Sequence, residues 1–415
     1  MLAHHNMISG FLRPEEQLLL QCARTKVESS QIAFIKDLLN LPLNWDYFLQ
    51  VSVLQKVLPL VHHFLNQIPN IFPEAVLSKT RVAFEANVQR NLFLTVHLRR
   101  LIQLLEANHI PAVPYKGLTL GAIAYKSLFL RTLSDLDVFV PEEAVDQVIT
   151  LLVRNGYQPS DKEPTSRQAI LRYRRYSYHH ALIHSEDEVS VEIHWRFLRD
   201  PHLLSVKAFD FWKGLVQVVL SGKAFHSFSP EVLLLLLCGH GAKHFWLDLM
   251  NVCDVAELLR SHPHLDWEWV LQTARDLNIR RLLWLGILVA VDLLQAPAPM
   301  WVIELAQSDP IASAVGTKIS QNFFTRINDA RFVGKVAIPI ELSLRERWQD
   351  KWSYVVRHVF LYPPNDEDQA VTKLPRFFLP FVRPFRLMMT YAPQVLQSKK
   401  WIAESPGGDG SNHDR

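Results

Sequence analysis

Apolar residues recur every three or four positions through residues 14–108, for example Leu94, Val96, Leu98, Leu101, Leu104 and Leu105. This period predicts amphipathic helices, which Pro42, Pro59, Pro69 and Pro73 divide into several pieces. The pattern changes at residue 109. Residues 110–115 read as extended, because a residue ahead of proline avoids the α region, and Lys116-Gly117 then turns into a helix over 118–127. Residues 131–140 read as a buried strand. Pro141-Glu142-Glu143 opens a helix, since proline fits its first position and acids its first turn, and Asn155-Gly156 stops it.

A helix rich in arginine and tyrosine is predicted over 167–176, followed by two strands about a turn at Glu186-Asp187-Glu188. In the second strand Val189, Val191, Ile193 and Trp195 share one face, and Ser190, Glu192, His194 and Arg196 the other. The order β-α-β-α-α-β-β predicts an α/β (α+β) unit built on a small mixed sheet. From about residue 229 to about residue 360 the helical period returns. The chain thus divides into a helical N-terminal region (1–108), an α/β core (109–200), a mainly helical C-terminal region (201–402) and a tail (403–415). The tail is rich in Gly, Ser and Asp and is expected to be disordered.

Composition narrows the class. A chain of 415 residues has room for two or three domains. Its 49% hydrophobic and 20% charged residues suit a soluble globular protein, and a net charge of +3 is too small to signal nucleic-acid binding. The cysteines, Cys22, Cys238 and Cys253, are odd in number and lack metal-type spacing, which points to the reducing cytoplasm. The first residues lack the basic-then-apolar pattern of a signal peptide. The apolar runs 232–238 and 282–291 fall well short of the ~18–20 residues of a membrane span.

Candidate chemistry centres on Asp135-Leu136-Asp137. Alternate residues of a strand point the same way, so the two carboxylates would share a face with Cα atoms roughly 6.6 Å apart. A solvated strand edge is the plainer reading. Glu192, on the polar face of a later strand, can supply a third acid. Three carboxylates can hold Mg²⁺ ions that orient a nucleoside triphosphate and activate a hydroxyl. Lys116-Gly117 ahead of a helix can approach phosphate, because glycine admits the backbone and the helix start offers free N–H groups; a simple turn is the alternative. His240 and His244 lie one helical turn apart, a metal-binding spacing, but Gly241 stands where a protease motif needs glutamate. A metal-dependent hydrolase and a packed histidine pair both fit. The Arg-Tyr helix can face an acidic acceptor, nucleic acid or solvent. Residues 369–402 carry Lys373, Arg376, Arg383, Arg386, Lys399 and Lys400 among phenylalanines. That suits peripheral contact with an anionic membrane through 373–400, or packing on the helical region.

The segments YKGLTLGAIAY, RTLSDLDVFV, VEIHWRF and HGAKHFWLDLMNVCDVAELL, in that order, resemble a bacterial family of uncharacterised nucleotidyltransferases within the DNA polymerase β-like superfamily. The resemblance covers roughly residues 80–270. It implies Mg²⁺-dependent transfer of a nucleoside monophosphate from an NTP to a hydroxyl acceptor, with two ions. Asp135 and Asp137 would be metal ligands. Glu192 would be the third carboxylate, assisting the acceptor hydroxyl, and Gly117 would mark the phosphate-binding turn. Leu118 stands where the superfamily has serine or glycine, so Thr119 or Lys116 would have to substitute. Lys243 or His244 would reach the triphosphate from the helical region. Arg131 would neutralise triphosphate or balance the acids, and His194 would serve the site or the fold. Asp254 would partner one of His240, Lys243 and His244 or be an ordinary helix residue. The incomplete turn also admits a rival: an inactive module that binds a nucleotide or a protein. The acceptor (sugar, small molecule, protein hydroxyl or RNA end) and the base stay open.

Overall fold

Helix α1 (Pro14–Cys22) starts on proline with Glu15 and Glu16 in its first turn, where acids complement the helix dipole. It is followed by α2 (Ser29–Leu39), α3 (Trp45–Leu54) and α4 (Leu58–Leu65). Helix α5 (Glu74–Ala107) runs 34 residues and buries Leu94, Leu98, Leu101, Ile102 and Leu105 along one stripe. Val96 shares the apolar period but faces solvent. This computed structural model describes residues 12–68, 70–160, 177–200, 202–205, 209–325 and 339–356. The expected Arg-Tyr helix at 167–176, the basic segment 369–402 and the tail 403–415 lie outside those residues.

The α/β core follows: β1 (Val113–Pro114), α6 (Gly117–Ala124), β2 (Asp135–Phe139), a 3₁₀ turn leading into α7 (Val145–Arg154), β3 (Tyr157–Pro159), β4 (His179–His184) and β5 (Ser190–His194). The five strands form one mixed sheet in the order β1-β2-β5-β4-β3. β2 and β5 run parallel; the other pairs are antiparallel. Strand β2 is shorter than the sequence pattern implies, because residues 125–134 form a loop held from outside. Asn87 Nδ2 donates to the Phe129 carbonyl at 2.7 Å, and Asn91 Nδ2 donates to the carbonyls of Leu128 (2.6 Å) and Arg131 (3.0 Å). These bonds from α5 fix the approach to β2 and so the placement of Asp135.

A hairpin that the helical period does not reveal, β6 (Val216–Leu220) with β7 (Lys223–Ser227), turns at Ser221-Gly222. Both turn residues have positive φ, at 47° and 79°, as a tight two-residue hairpin requires. Ser227 Oγ donates to the Pro114 carbonyl at 3.0 Å, which joins the hairpin to β1. Then come α8 (Pro230–Lys243), capped by the Ser229 hydroxyl, α9 (Leu249–Ser261), α10 (Trp267–Asp276), α11 (Arg280–Leu294), α12 (Met300–Ser308), α13 (Pro310–Gln321) and α14 (Trp348–Val356).

The sheet separates its chemistry by face. Leu136, Val138, Leu182, Val191 and Ile193 point into the apolar core and are essentially inaccessible to solvent. Asp135, Asp137, Glu192 and His194 alternate with them on the opposite face. The three cysteines are free and buried. Among the described residues no helix is long and apolar enough to cross a membrane.

Candidate functional site

The register of β2 and β5 pairs Asp135 with Ser190, Asp137 with Glu192 and Phe139 with His194. Residues paired across adjacent strands project to the same side, so the two strands bring three carboxylates together although Asp137 and Glu192 are far apart in the chain. His194 Nε2 lies 2.9 Å from Asp137 Oδ1 and 3.0 Å from Glu192 Oε2, placing the imidazole between the acids. Lys116 Nζ donates to the same Asp137 oxygen at 3.0 Å.

Burial and charge drive the three acids apart. Burial raises the Asp137 carboxyl, but the Lys116 charge and the His194 hydrogen bond outweigh it and hold the group well below the usual range. Burial likewise opposes ionisation of Glu192. The hydrogen bond from His194 and the charges of His194 and His179 overcome it, holding Glu192 at about 2. At Asp135 burial, then the charges of Asp137 and Glu192, outweigh the Lys116 charge and a hydrogen bond with Ser134 and push the carboxyl up. Two neighbouring carboxyls are thus firmly ionised and the third is easier to protonate, a division that acid–base sites use.

The phosphate-turn candidates separate. Gly117 has φ +54° as the first residue of α6, a conformation that disfavours a side chain, and a Cβ there would lie 3.9 Å from the Asp135 carbonyl. The start of α6 therefore adjoins the start of β2. Thr119 differs from expectation. It is fully buried, and its hydroxyl donates to the carbonyls of Lys116 (2.9 Å) and Pro114 (3.2 Å), so it closes the turn from within and does not replace the missing serine. Lys116 is the residue of that turn that reaches the acids.

Arg131 pairs with an acid other than the two aspartates of β2. Its Nε and NH2 groups grip the Asp254 carboxylate at 2.9 Å each, and Tyr125 Oη donates to Asp254 at 2.8 Å. Arg131 therefore balances Asp254 of α9, not Asp135 or Asp137, and its charge serves to anchor the loop before β2.

The C-terminal end of α8 lies over the polar face of the sheet. Lys243 Nζ sits 4.3 Å from the centre of the Tyr178 ring. That ring packs against His179 (4.4 Å) and His194 (5.9 Å between centroids). Burial and the nearby Lys116 hold Lys243 down to about 8. His240 and His244 stack on each other with centroids 4.6 Å apart. Burial, then the charges of Lys116, His244 and Lys243, hold His240 well below its ordinary value. Burial, then the charges of Lys243 and Lys116, hold His244 down to about 4.

One set of donors converges more closely than the three carboxylates. Among the described residues, ligand atoms of His179, Glu192 and His194 all lie within 4.8 Å of one another. His179 was not among the residues singled out from the sequence. Its signal is present nonetheless: counting back across the turn at 186–188 sets His179 opposite His194 and Ala181 opposite Glu192 in the β4–β5 register. Tyr178, which carries the contact between Lys243 and the imidazoles, has no comparable signal, because α8 comes much later in the chain.

A family model described as an uncharacterised nucleotidyltransferase matches residues 42–295, more than half of the chain, and contains every side chain of this site. No curated protein and no solved structure matches.

Proposed function

The chain belongs to the uncharacterised nucleotidyltransferase family, and from that premise we propose that it moves a nucleoside monophosphate from an NTP to a hydroxyl acceptor with the help of Mg²⁺. The observation that carries this reading is the pairing of Asp137 with Glu192 on parallel strands, with Asp135 on the same face beside the Gly117 turn. Oxygen donors suit a hard divalent ion, and Asp135, Asp137 and Glu192 would hold it. When bound, such ions neutralise phosphate charge and activate the attacking hydroxyl. The chain's own groups do the rest. The N–H groups at the start of α6 face the triphosphate, and Lys116 and Lys243 add positive charge. Glu192, between His179 and His194, assists the acceptor hydroxyl. The free, buried cysteines fit a cytoplasmic setting.

The test is incubation with each of the four α-labelled NTPs, Mg²⁺ and a cell extract as the source of acceptor. Label should pass to a product with wild-type protein and not with Asp137→Ala. Undiminished transfer by that variant would sink the assignment.

A second reading draws on a different observation. Lys116 and His194 both bind Asp137 Oδ1, and the Thr119 hydroxyl is turned into the backbone. Both features suit a module that holds a nucleotide or a protein without turnover. Nucleotide binding at micromolar concentration, with no labelled product from any extract, would favour it.

A further inference from the structure

Strands β4 and β5 set two imidazoles around one carboxylate. His179 lies directly opposite His194 in their antiparallel register, and Glu192 stands two residues before His194 on the same face. The rings lie side by side, with centroids 5.2 Å apart and planes inclined by 34°. Each turns its Nε2 atom to a different oxygen of Glu192: His194 at 3.0 Å from Oε2, His179 at 3.8 Å from Oε1. The longer separation is beyond hydrogen-bond reach, so a hydrogen bond does not account for that approach. Two donors held about 2.0–2.1 Å from one tetrahedral ion stand roughly 3.3–3.4 Å apart. The two observed separations fall on either side of that spacing.

The donors select the kind of ion. Imidazole nitrogen suits zinc, iron, copper and nickel, whereas magnesium prefers oxygen. Three protein donors of mixed nitrogen and oxygen are what catalytic zinc sites provide, with a further position left for water or substrate. The surroundings admit an ion and fix its ligands. His179 and Glu192 keep 17% and 26% of their side-chain surface open, which gives an ion a way in, while His194 is buried. Tyr115 packs edge-on against His194 at 5.6 Å, and Tyr178 against His179 at 4.4 Å, which holds both rings in place. To coordinate through Nε2, His194 gives up any hydrogen there, and with it a hydrogen bond to Asp137 Oδ1. That oxygen still receives the Lys116 ammonium at 3.0 Å and is not left bare.

We propose that His179, Glu192 and His194 bind one divalent transition-metal ion of the zinc type. The site lies beside the all-oxygen pair Asp135 and Asp137 and has Glu192 in common with it. A carboxylate has lone pairs on both oxygens and can serve two ions. The proposal goes beyond the Mg²⁺-dependent transfer reading, because nitrogen ligands give this position a preference that three carboxylates would not have. It does not depend on which nucleotide or acceptor the chain uses.

The experiment titrates the metal-free full chain with Co²⁺, whose visible absorption reports nitrogen ligands, then with Zn²⁺ and Mg²⁺ as competitors, and with no nucleotide present. His179→Gln and Glu192→Gln each remove a proposed ligand, and His244→Gln breaks the other histidine pair, on α8. Circular dichroism checks that each variant folds. We expect wild type to bind one equivalent of Co²⁺, Zn²⁺ to displace it, and millimolar Mg²⁺ to leave it in place. His179→Gln and Glu192→Gln should weaken Co²⁺ binding at least tenfold, and His244→Gln should stay within about twofold of wild type. Carbethoxylation of wild type by diethyl pyrocarbonate, read by mass spectrometry, needs no variant: Zn²⁺ should slow the reaction of His179 at least tenfold. Co²⁺ binding that survives His179→Gln, or that yields to millimolar Mg²⁺, would overturn the proposal, as would a His179 that Zn²⁺ does not protect. Loss of binding in His244→Gln would overturn it in favour of the α8 pair. Metal uptake as expected by a chain that transfers no label from any NTP would uphold this site and remove the transferase reading. Label transfer by a chain that takes up no Co²⁺ would do the reverse.

Discussion

Lys116 Nζ stands 3.0 Å from Asp137 Oδ1, with each side chain about nine-tenths buried. An ion pair at that depth is costly to break from one side, because the partner is left charged and desolvated. We expect Lys116→Met to lower stability by about 3–5 kcal/mol, and Lys116→Met with Asp137→Leu to recover most of that loss. Urea unfolding of the four proteins in the cycle measures the coupling. A coupling energy below about 0.5 kcal/mol, the level of independent sites, would show that the two charges do not depend on each other.

The Glu192 carboxyl makes a pH prediction with a definite sign. Its folded value of about 2 lies below the ordinary 4.5. Between those values the unfolded chain binds the extra proton, so stability falls as pH falls. The contribution is complete above about pH 4.5 and is lost toward pH 2. Its size is up to about 3 kcal/mol at 1.36 kcal/mol per unit. Glu192→Gln should flatten that part of the stability profile relative to wild type. Parallel profiles for the two proteins would refute the assignment.

Lys243 provides a second titration, read in binding. Held down to about 8 by burial and by Lys116, it is mostly protonated at pH 7 and mostly neutral at pH 9. Affinity for a non-hydrolysable triphosphate analogue should therefore weaken as pH rises through 8. Lys243→Gln should bind more weakly at pH 7 and show a flatter profile across the same interval. Fluorescence titration at half-unit steps is sufficient to decide.

The clasp of Arg131 on Asp254 should control the loop more than the chemistry. Asp254→Ala removes a fully buried carboxylate and strands a guanidinium, at a cost of about 3–5 kcal/mol. Hydrogen exchange should accelerate across residues 125–134 and leave the β4–β5 hairpin close to wild-type rates. Acceleration spread evenly over the sheet would mean that Asp254 supports the core as a whole.

The parts of this site that local pattern encodes were legible in the sequence. Alternation along residues 189–196 placed Glu192 and His194 on one face, and Asp135 and Asp137 were paired by the same two-residue period. The Gly117 turn, the helix after it and the Gly156 stop rest on short-range conformational rules. What local pattern could not show is the pairing between distant segments. Nothing in residues 131–140 announces that β2 runs parallel to β5, or that Asn87 and Asn91 shorten it by holding the preceding loop. Arg131 and Asp254 are 123 positions apart, so either looked available for other work. Thr119 looked like a spare hydroxyl because its two backbone acceptors exist only once α6 has formed. The β6–β7 hairpin carried a Ser-Gly turn that the surrounding helical pattern overshadowed.

The parallel pairing of β2 with β5 also has a kinetic meaning. A hairpin such as β4–β5 can close on its own, but the chain between β2 and β5 runs through α7, β3 and β4 before the two strands can pair. Closing such a span costs chain entropy before any contact repays it, which makes non-local parallel pairing slow. Asp137 and Glu192 therefore come together late in folding, after the helices and the local hairpin. The full carboxylate cluster is then a property of the finished chain, and a nascent or partly folded one exposes no assembled site.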